Sequence, residues 1–316
     1  MSAVTVPRPS LVSRVPGAGV MLVALAVAFT LGNPSFATPA NIANIVMQSS
    51  VLLLVALPMT LVIMTEGLDL SVGAVVTLAS LVLAMVAVAT GSVALAILTG
   101  LAVGLACGIV NGVLIGRLAL PPFVATLGTL GIVQGLALVL SGGQSVTGVP
   151  SGLTGIYNGT LVGIPAPIVV VICAYAMIHL LLYRTAFGTY VFALGGNREA
   201  LAFAGIPDRF MLAAVYAFNG LMAGVAGIVL TARLSAGHPT AGLGLEFDAI
   251  AAVAVGGTSF ERGNGWLPGT VLGVITIGVL RNGLNLLAVP SSLQVSCVGL
   301  LVILAFVIES LKGEPS

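Results

Sequence analysis

From Gly17 onward the chain is a succession of apolar runs, each about twenty residues long, separated by short polar or glycine-rich connections. That pattern leaves few folds open. A helix rising 1.5 Å per residue needs about twenty residues to cross the ~30 Å hydrocarbon core of a bilayer. In lipid the backbone must also satisfy its own N–H and C=O groups, which a helix does internally. The chain is 59% hydrophobic and 6% charged, far below the roughly 25% charge of soluble domains. Its mean hydropathy is +1.21.

The runs read as spans over 17–31, 41–64, 69–90, 92–116, 121–141, 164–183, 210–232, 246–260, 266–288 and 292–310. The expected fold class is therefore all-α, a polytopic membrane protein of about ten transmembrane helices. Residues 1–15, with Arg8 and Arg14, read as a flexible N-terminus, and 16–312 as a single transmembrane unit. The first run is taken as a retained span in preference to a cleaved signal peptide. Segment 246–260 is short for a crossing and is interrupted by Gly256-Gly257, the pattern of a half-helix.

Basic residues set the orientation. With the N-terminus inside, Arg117, Arg184, Arg198, Arg209, Arg262 and Lys312 all fall on the cytoplasmic side, and Arg233 on the other. Both termini are then cytoplasmic, as is the loop 184–209, while the Gly/Pro-rich loop 142–165 lies outside.

Several function classes drop out. A net charge of +1 gives no nucleic-acid footprint. Cys107, Cys173 and Cys297 are scattered through apolar spans, and His179 and His238 are far apart, so no metal site is expected. Lys312 is the only lysine, which excludes a GxxxxGK[ST] phosphate loop. ATP and magnesium, if used, belong to another polypeptide, and no cofactor is expected here. No His/Asp cluster or Ser–Lys pair suggests a membrane-embedded enzyme.

Leu194 to Pro207, LGGNREALAFAGIP, stands out among the connections. Gly195 and Gly196 break the incoming helix, Asn197 can cap a new one, and Glu199 suits the positive end of its dipole. Gly205 and Pro207 end it after roughly two turns. A membrane protein that builds a short capped helix in a loop offers a surface, although an ordinary curled connection would read alike. Glu199-Ala200-Leu201 followed by Gly205 resembles the Glu-Ala-Ala…Gly loop of ABC importer permeases, with Leu for the third Ala. The run Phe192–Leu287, with ALGGN, ARLSAGHPTAG, FDAIAAVAVGGTS and RNGLNLL, is similar to the ribose-type sugar permeases, whose relatives carry other monosaccharides and autoinducer-2. TEGLDLSVG at 65–73 resembles that family's Gly-x-Asp-Leu-Ser-Val-Gly signature.

The resemblance implies a permease subunit of the bacterial inner membrane with no covalent chemistry of its own. Its partners would be a cytosolic ABC ATPase docked on a coupling helix, a periplasmic sugar-binding protein, a second permease copy or paralogue, and membrane lipid. A path for a neutral polyol needs hydroxyls and amides. The candidates are Gln48, Ser49, Ser50, Asp69, Ser71, Thr77, Asn111, Gln134, Asn219, Asn282 and Asn285, though interhelical hydrogen bonding explains each equally well. Asp69 reads equally as a helix cap.

Gly100, Gly104, Gly108, Gly112 and Gly116 recur every four residues and give a helix face free of side chains, suited to close packing or to rocking helices. Asn111-Gly112…Pro121 and Asn282-Gly283…Pro290, each preceded by a helix that starts with an acid (Asp69, Asp248), suggest an inverted repeat. Arg281 can pair with an acid, snorkel outward or line the path, and snorkelling is the preferred reading. The near absence of acids in the spans argues against proton or sodium coupling. The rival readings are an autoinducer-2 or branched-chain amino-acid permease and, from another class, an ATP-independent facilitator or secondary carrier.

Overall fold

The computed structural model describes residues 17–196, 198–258 and 263–311. Residues 1–15, Asn197, Arg262 and Lys312, which carried expectations above, lie outside them. The helices, in order, are α1 (Gly17–Gly32), α2 (Pro39–Met64), α3 (Val72–Thr90), α4 (Val93–Gly112), α5 (Pro122–Ser141), α6 (Ser151–Asn158) and α7 (Ala166–Arg184). They continue with α8 (Ala186–Gly196), α9 (Arg198–Phe203), α10 (Asp208–Leu234), α11 (Leu245–Val255), α12 (Leu267–Leu286) and α13 (Ser291–Leu311). A π-helical turn, Val113–Arg117, prolongs α4. Among the described residues four two-residue strands are confined to the connections: β1 (Val146–Thr147) pairs with β4 (Ala236–Gly237), and β2 (Thr160–Leu161) with β3 (Ile164–Pro165).

Helix ends follow local chemistry. Thr38 accepts from Asn41 N and is followed by Pro39, while Ser92 accepts from Leu95 N, so α2 and α4 start on oxygen caps. Gly91 and Gly142 close α3 and α5 with φ of +67° and +58°, where a Cβ is strained.

Among the described residues seven helices are long and apolar enough to cross a membrane: α2, α3, α4 with its π-turn, α5, α7, α10 and α12. The count of about ten expected above is therefore reached only by adding shorter pieces. α1 has 16 residues and begins level with the middle of α12, where Thr276 Oγ1 donates to Ala18 O. α11 has 11 residues, about 16 Å of helix at 1.5 Å per residue, so 246–260 is no full crossing. α8, placed in a loop by the sequence reading, is a helix in its own right.

α2 and α3 are buried along most of their length, whereas α4, α5 and α7 turn one apolar face outward. Ile132, Val139, Ile172 and Leu180 on that outer face are exposed, as side chains bathed in lipid would be. The tightest helix pair is α4 on α10. A Cβ at Gly104, Gly108, Gly112 or Gly116 would run into the α10 backbone between Arg209 and Gly224, and Gly220 and Gly224 return the contact from the other side. Backbones this close gain dispersion energy that lipid, itself apolar, cannot match by hydrophobicity.

Arg117, Arg184, Arg198 and Arg209 fall at one end of the bundle, where α4 and α7 finish and α10 begins. It is called the basic end below, and its opposite the far end.

Candidate functional site

The loop between α2 and α3 is sewn into the bundle by a chain of buried polar groups. Asp69 Oδ1 accepts from the backbone N of Ser71 at 2.9 Å and from its hydroxyl at 2.6 Å. Asn219 on α10 donates to Asp69 Oδ2 at 2.8 Å. Ser71 Oγ accepts from Asn111 Nδ2 on α4 at 2.8 Å, and Thr129 on α5 donates to Asn111 Oδ1 at 2.6 Å. Tyr216 and Thr126 both donate to Leu68 O at 3.3 Å. Four of the candidate path residues, Asp69, Ser71, Asn111 and Asn219, are thus brought together and spend their hydrogen bonds mainly on one another. Thr129, Thr126 and Tyr216 complete the cluster, and sequence reasoning missed them because a lone hydroxyl on an apolar helix gives no signal of its partner.

Beyond α10 the chain turns back into the bundle without forming a helix. Gly237 packs against Ser80, Leu81 and Ala84 midway along α3, and Gly242 against Gly73 and Thr77, nearer the basic end. Irregular backbone at that depth survives only where protein supplies partners. Here Thr77 Oγ1 accepts from Gly242 N at 2.9 Å, Gln134 Nε2 donates to Pro239 O at 2.8 Å, and β4 pairs with β1. Two further candidates, Thr77 and Gln134, hold this strap in place. It delivers α11 as a half-length helix, with Gly244 at φ +90° before it and Glu246 and Asp248 in its first turn. Those carboxylates oppose the positive helix end. Glu246 is buried and accepts from Gly244 N, but its Oε2 has no partner among the described residues.

A cavity of about 270 Å³ lies toward the far end, between α2, α10, α11, α12 and α13. Gln48, Ser49 and Asn285 line it, together with Arg281, for which lining the path was one of the readings, and Asp248 and Gln294, which were not named as path residues. Arg281 does not snorkel away: its Nη2 donates to both carboxylate oxygens of Asp248, at 2.8 and 2.6 Å. The reason is electrostatic, since a buried carboxylate must be matched by a charge or donors. Opposite charges in two otherwise apolar segments were the available signal. Gln294 donates to Asn285 Oδ1 at 2.9 Å and so orients that amide. The remaining candidates sit apart. Asn282 exchanges amide hydrogen bonds with Asn41 at 2.8 and 2.9 Å, and Ser50 bonds back to Met47 O.

At the basic end α8 and α9 form an elbow before α10. A Cβ at Gly195 would collide with Met64 O, so α8 lies directly on the end of α2 and beside Gly263. Gly196, by contrast, has open space about it. Glu199 and Ala200 fall in α9; their side chains, like all of Asn197, are outside what the structure describes. Gly205 follows with φ +71°. Within α9 Leu201 is buried while Phe203 is 91% exposed, and Arg198 reaches Asp208 at 2.8 Å.

Residues 41–306 match the family model described as branched-chain amino acid transport system / permease component. The chain is 41% identical over 291 residues to the ribose import permease protein RbsC of Bacillus subtilis, covering 92% of this chain and 90% of that one. It is 39% identical to RbsC of Escherichia coli K12, with 92% of each chain covered. The D-allose transport system permease protein AlsC of Escherichia coli K12 is 36% identical over 93% of this chain and 91% of its own. No solved structure matches the chain significantly.

Proposed function

The chain belongs to the family described as branched-chain amino acid transport system / permease component, and from that premise we propose that it is the membrane subunit of an ATP-driven importer for a ribose-like monosaccharide. The observation that carries the reading is likeness along nearly the whole chain to permeases named for ribose and allose. Proteins of this kind are transporter subunits and not enzymes. ATP is hydrolysed by a separate ABC ATPase, and a binding protein delivers the solute.

The positive-inside rule makes the basic end cytoplasmic, in a multi-pass protein of the bacterial inner membrane. α9, which carries Glu199 and Ala200, is then the coupling helix, with Gly195, Gly196 and Gly205 flanking it; Asn197 is assigned to the same coupling segment from the sequence. A six-residue helix with a nearly bare Phe203 suits a groove on a partner better than it suits water. Because Gly195 rests on the end of α2, a push on the elbow reaches a central helix of the bundle.

Ten membrane segments follow if α1, α11 and α13 are added to the seven long helices, with α11 as a half-helix. An inverted repeat is supported by matching element order. α2, a loop with Asp69, α3, α4 and α5 correspond to α10, the strap, α11, α12 and α13, the first set starting from the far end and the second from the basic end. A second copy or a paralogue would complete the transporter, and movement of the two against each other would give alternating access. The family's own description favours a second reading, a branched-chain amino acid as cargo.

The test is capture of the transporter's ABC ATPase by the purified chain, followed by import in proteoliposomes containing ATP and the binding protein. Capture by wild type and its loss in Gly205→Asp are expected. Solute flux without ATP, in a chain that captures no ATPase, would establish a facilitator instead.

A further inference from the structure

Where α4 meets α10, a trough runs inward from the basic end. Its two walls follow from helical spacing. On α10, Phe210, Ala213, Ala214 and Ala217 stand three and four residues apart and share one face. On α4 and its π-turn, Ile109 and Val113 stand four apart and form the opposite wall. The glycine face draws the two backbones together, with Gly112 and Gly116 seated on Ala213 and Gly116 also on Arg209 O. The alanines of α10 are too short to fill the space outside that seam, which leaves a trough of about 600 Å³. Ile109, Val113 and Phe210 are all exposed along it.

Arg117 and Arg209 line the trough at the basic end, and its other side chains are apolar. Both arginines are exposed, and neither has an ion-pair partner among the described residues. Asp208, next to Arg209 in sequence, is engaged by Arg198 at 2.8 Å. From Ile109 to Arg117 the helix rises about 12 Å at 1.5 Å per residue, close to half of the ~30 Å hydrocarbon core. That is the charge order and length of a phospholipid in one leaflet, an apolar chain along the trough and a phosphate at its charged end. Basic pockets between transmembrane helices recognise anionic headgroups, and guanidinium groups take phosphate oxygens in paired hydrogen bonds. A second copy of this chain fits less well, because a twofold contact through this face would bring the arginines of one protomer beside the same arginines of its partner. A free phosphate would leave the apolar length of the trough unused.

We infer that the trough between α4 and α10 is a binding site for one anionic phospholipid of the leaflet at the basic end, its phosphate between Arg117 and Arg209 and an acyl chain over Ala214 and Ala217. The site is independent of the solute carried and of the ATPase. Bound there, the lipid covers the seam of the tightest helix pair and holds α4 against α10.

The test is native mass spectrometry of the full-length chain in detergent, titrated with phosphatidylglycerol and, separately, with phosphatidylcholine of the same acyl chains. One phosphatidylglycerol per chain is expected to bind several-fold more tightly than phosphatidylcholine. Arg117→Gln and Arg209→Gln should each weaken it about fivefold. Arg184→Gln, at the same end but outside the trough, should leave it unchanged. Ala214→Trp fills the trough with both arginines in place and should also displace the lipid, so the test does not hang on the charge variants alone. Equal binding of the two lipids, equal losses from Arg184→Gln and the trough variants, or undiminished binding to Ala214→Trp would each overturn the site. Displacement of phosphatidylglycerol by inorganic phosphate at equal concentration would overturn the lipid as occupant. A dimer that Ala214→Trp dissociates would give the trough to a second copy and overturn the proposal.

Discussion

Asn219 donates a 2.8 Å hydrogen bond to Asp69 across 150 positions of sequence, tying the middle of α10 to the loop that opens α3. Asp69 accepts from Ser71 as well, so one carboxylate satisfies three donors in a space with almost no water access. Replacing it with alanine orphans all three. Each buried unsatisfied group costs about 1–3 kcal/mol. Asp69→Ala should lower the thermal unfolding midpoint in detergent by several degrees, and Asp69→Asn, which keeps an acceptor, should lose less. Equal midpoints for Asp69→Ala and wild type in differential scanning fluorimetry would show that the cluster carries no stability.

Gly104 and Gly128 make a matched pair. An added Cβ at Gly104 meets the backbone of Gly220 and Gly224, whereas at Gly128 it meets open space. Gly128→Ala should be neutral or stabilise by up to about 1 kcal/mol, the usual helix-propensity gain. Gly104→Ala should force α4 from α10 and reduce the folded yield on size-exclusion chromatography. A similar yield for both would mean that the two backbones do not need their close approach.

Phe203 projects from α9 almost fully exposed. Phe203→Asp should leave membrane insertion and monodispersity intact and weaken ATPase capture at least about tenfold, a loss of roughly 1.4 kcal/mol or more. Pull-down titration against the ABC ATPase would measure it. Undiminished capture would remove α9 from the docking surface.

Thr77 supplies the acceptor for Gly242 N. Thr77→Val keeps the shape and deletes the acceptor, so the strap loses one of its few anchors. Hydrogen–deuterium exchange at residues 240–244 should accelerate, with exchange in α3 unchanged; no acceleration would mean that the strap is held by packing alone.

Membrane residence, the loop at 194–207 and the glycine face of α4 were legible because each is periodic or local. Gly100 to Gly116 declare their spacing without reference to any other helix. The Asp248–Arg281 pair was not legible in that way. Arg281 alone fits snorkelling as well as pairing with an acid, and the packing of α11 beside α12 decides for Asp248. The short crossing at 246–260 was legible too, from its length and Gly256-Gly257: Gly256 lies on Gly269 and the helix ends at Val255. The end of α8 at Gly195-Gly196 was legible, but its start was not, because only Thr185, a β-branched residue in extended conformation, separates it from α7.

The strap from Ser235 to Gly244 has a mechanical consequence. A helix is a rod and passes on both push and pull, whereas irregular chain carries little thrust along its own length. α11 is therefore positioned by what it lies on, its backbone at Ala252 and Gly256 seated on Gly273 and Gly269 of α12, and not by its tether to α10. Asp248 and Arg281 accordingly move as one body, and the cavity they line is shaped by how that body sits against α2 and α10.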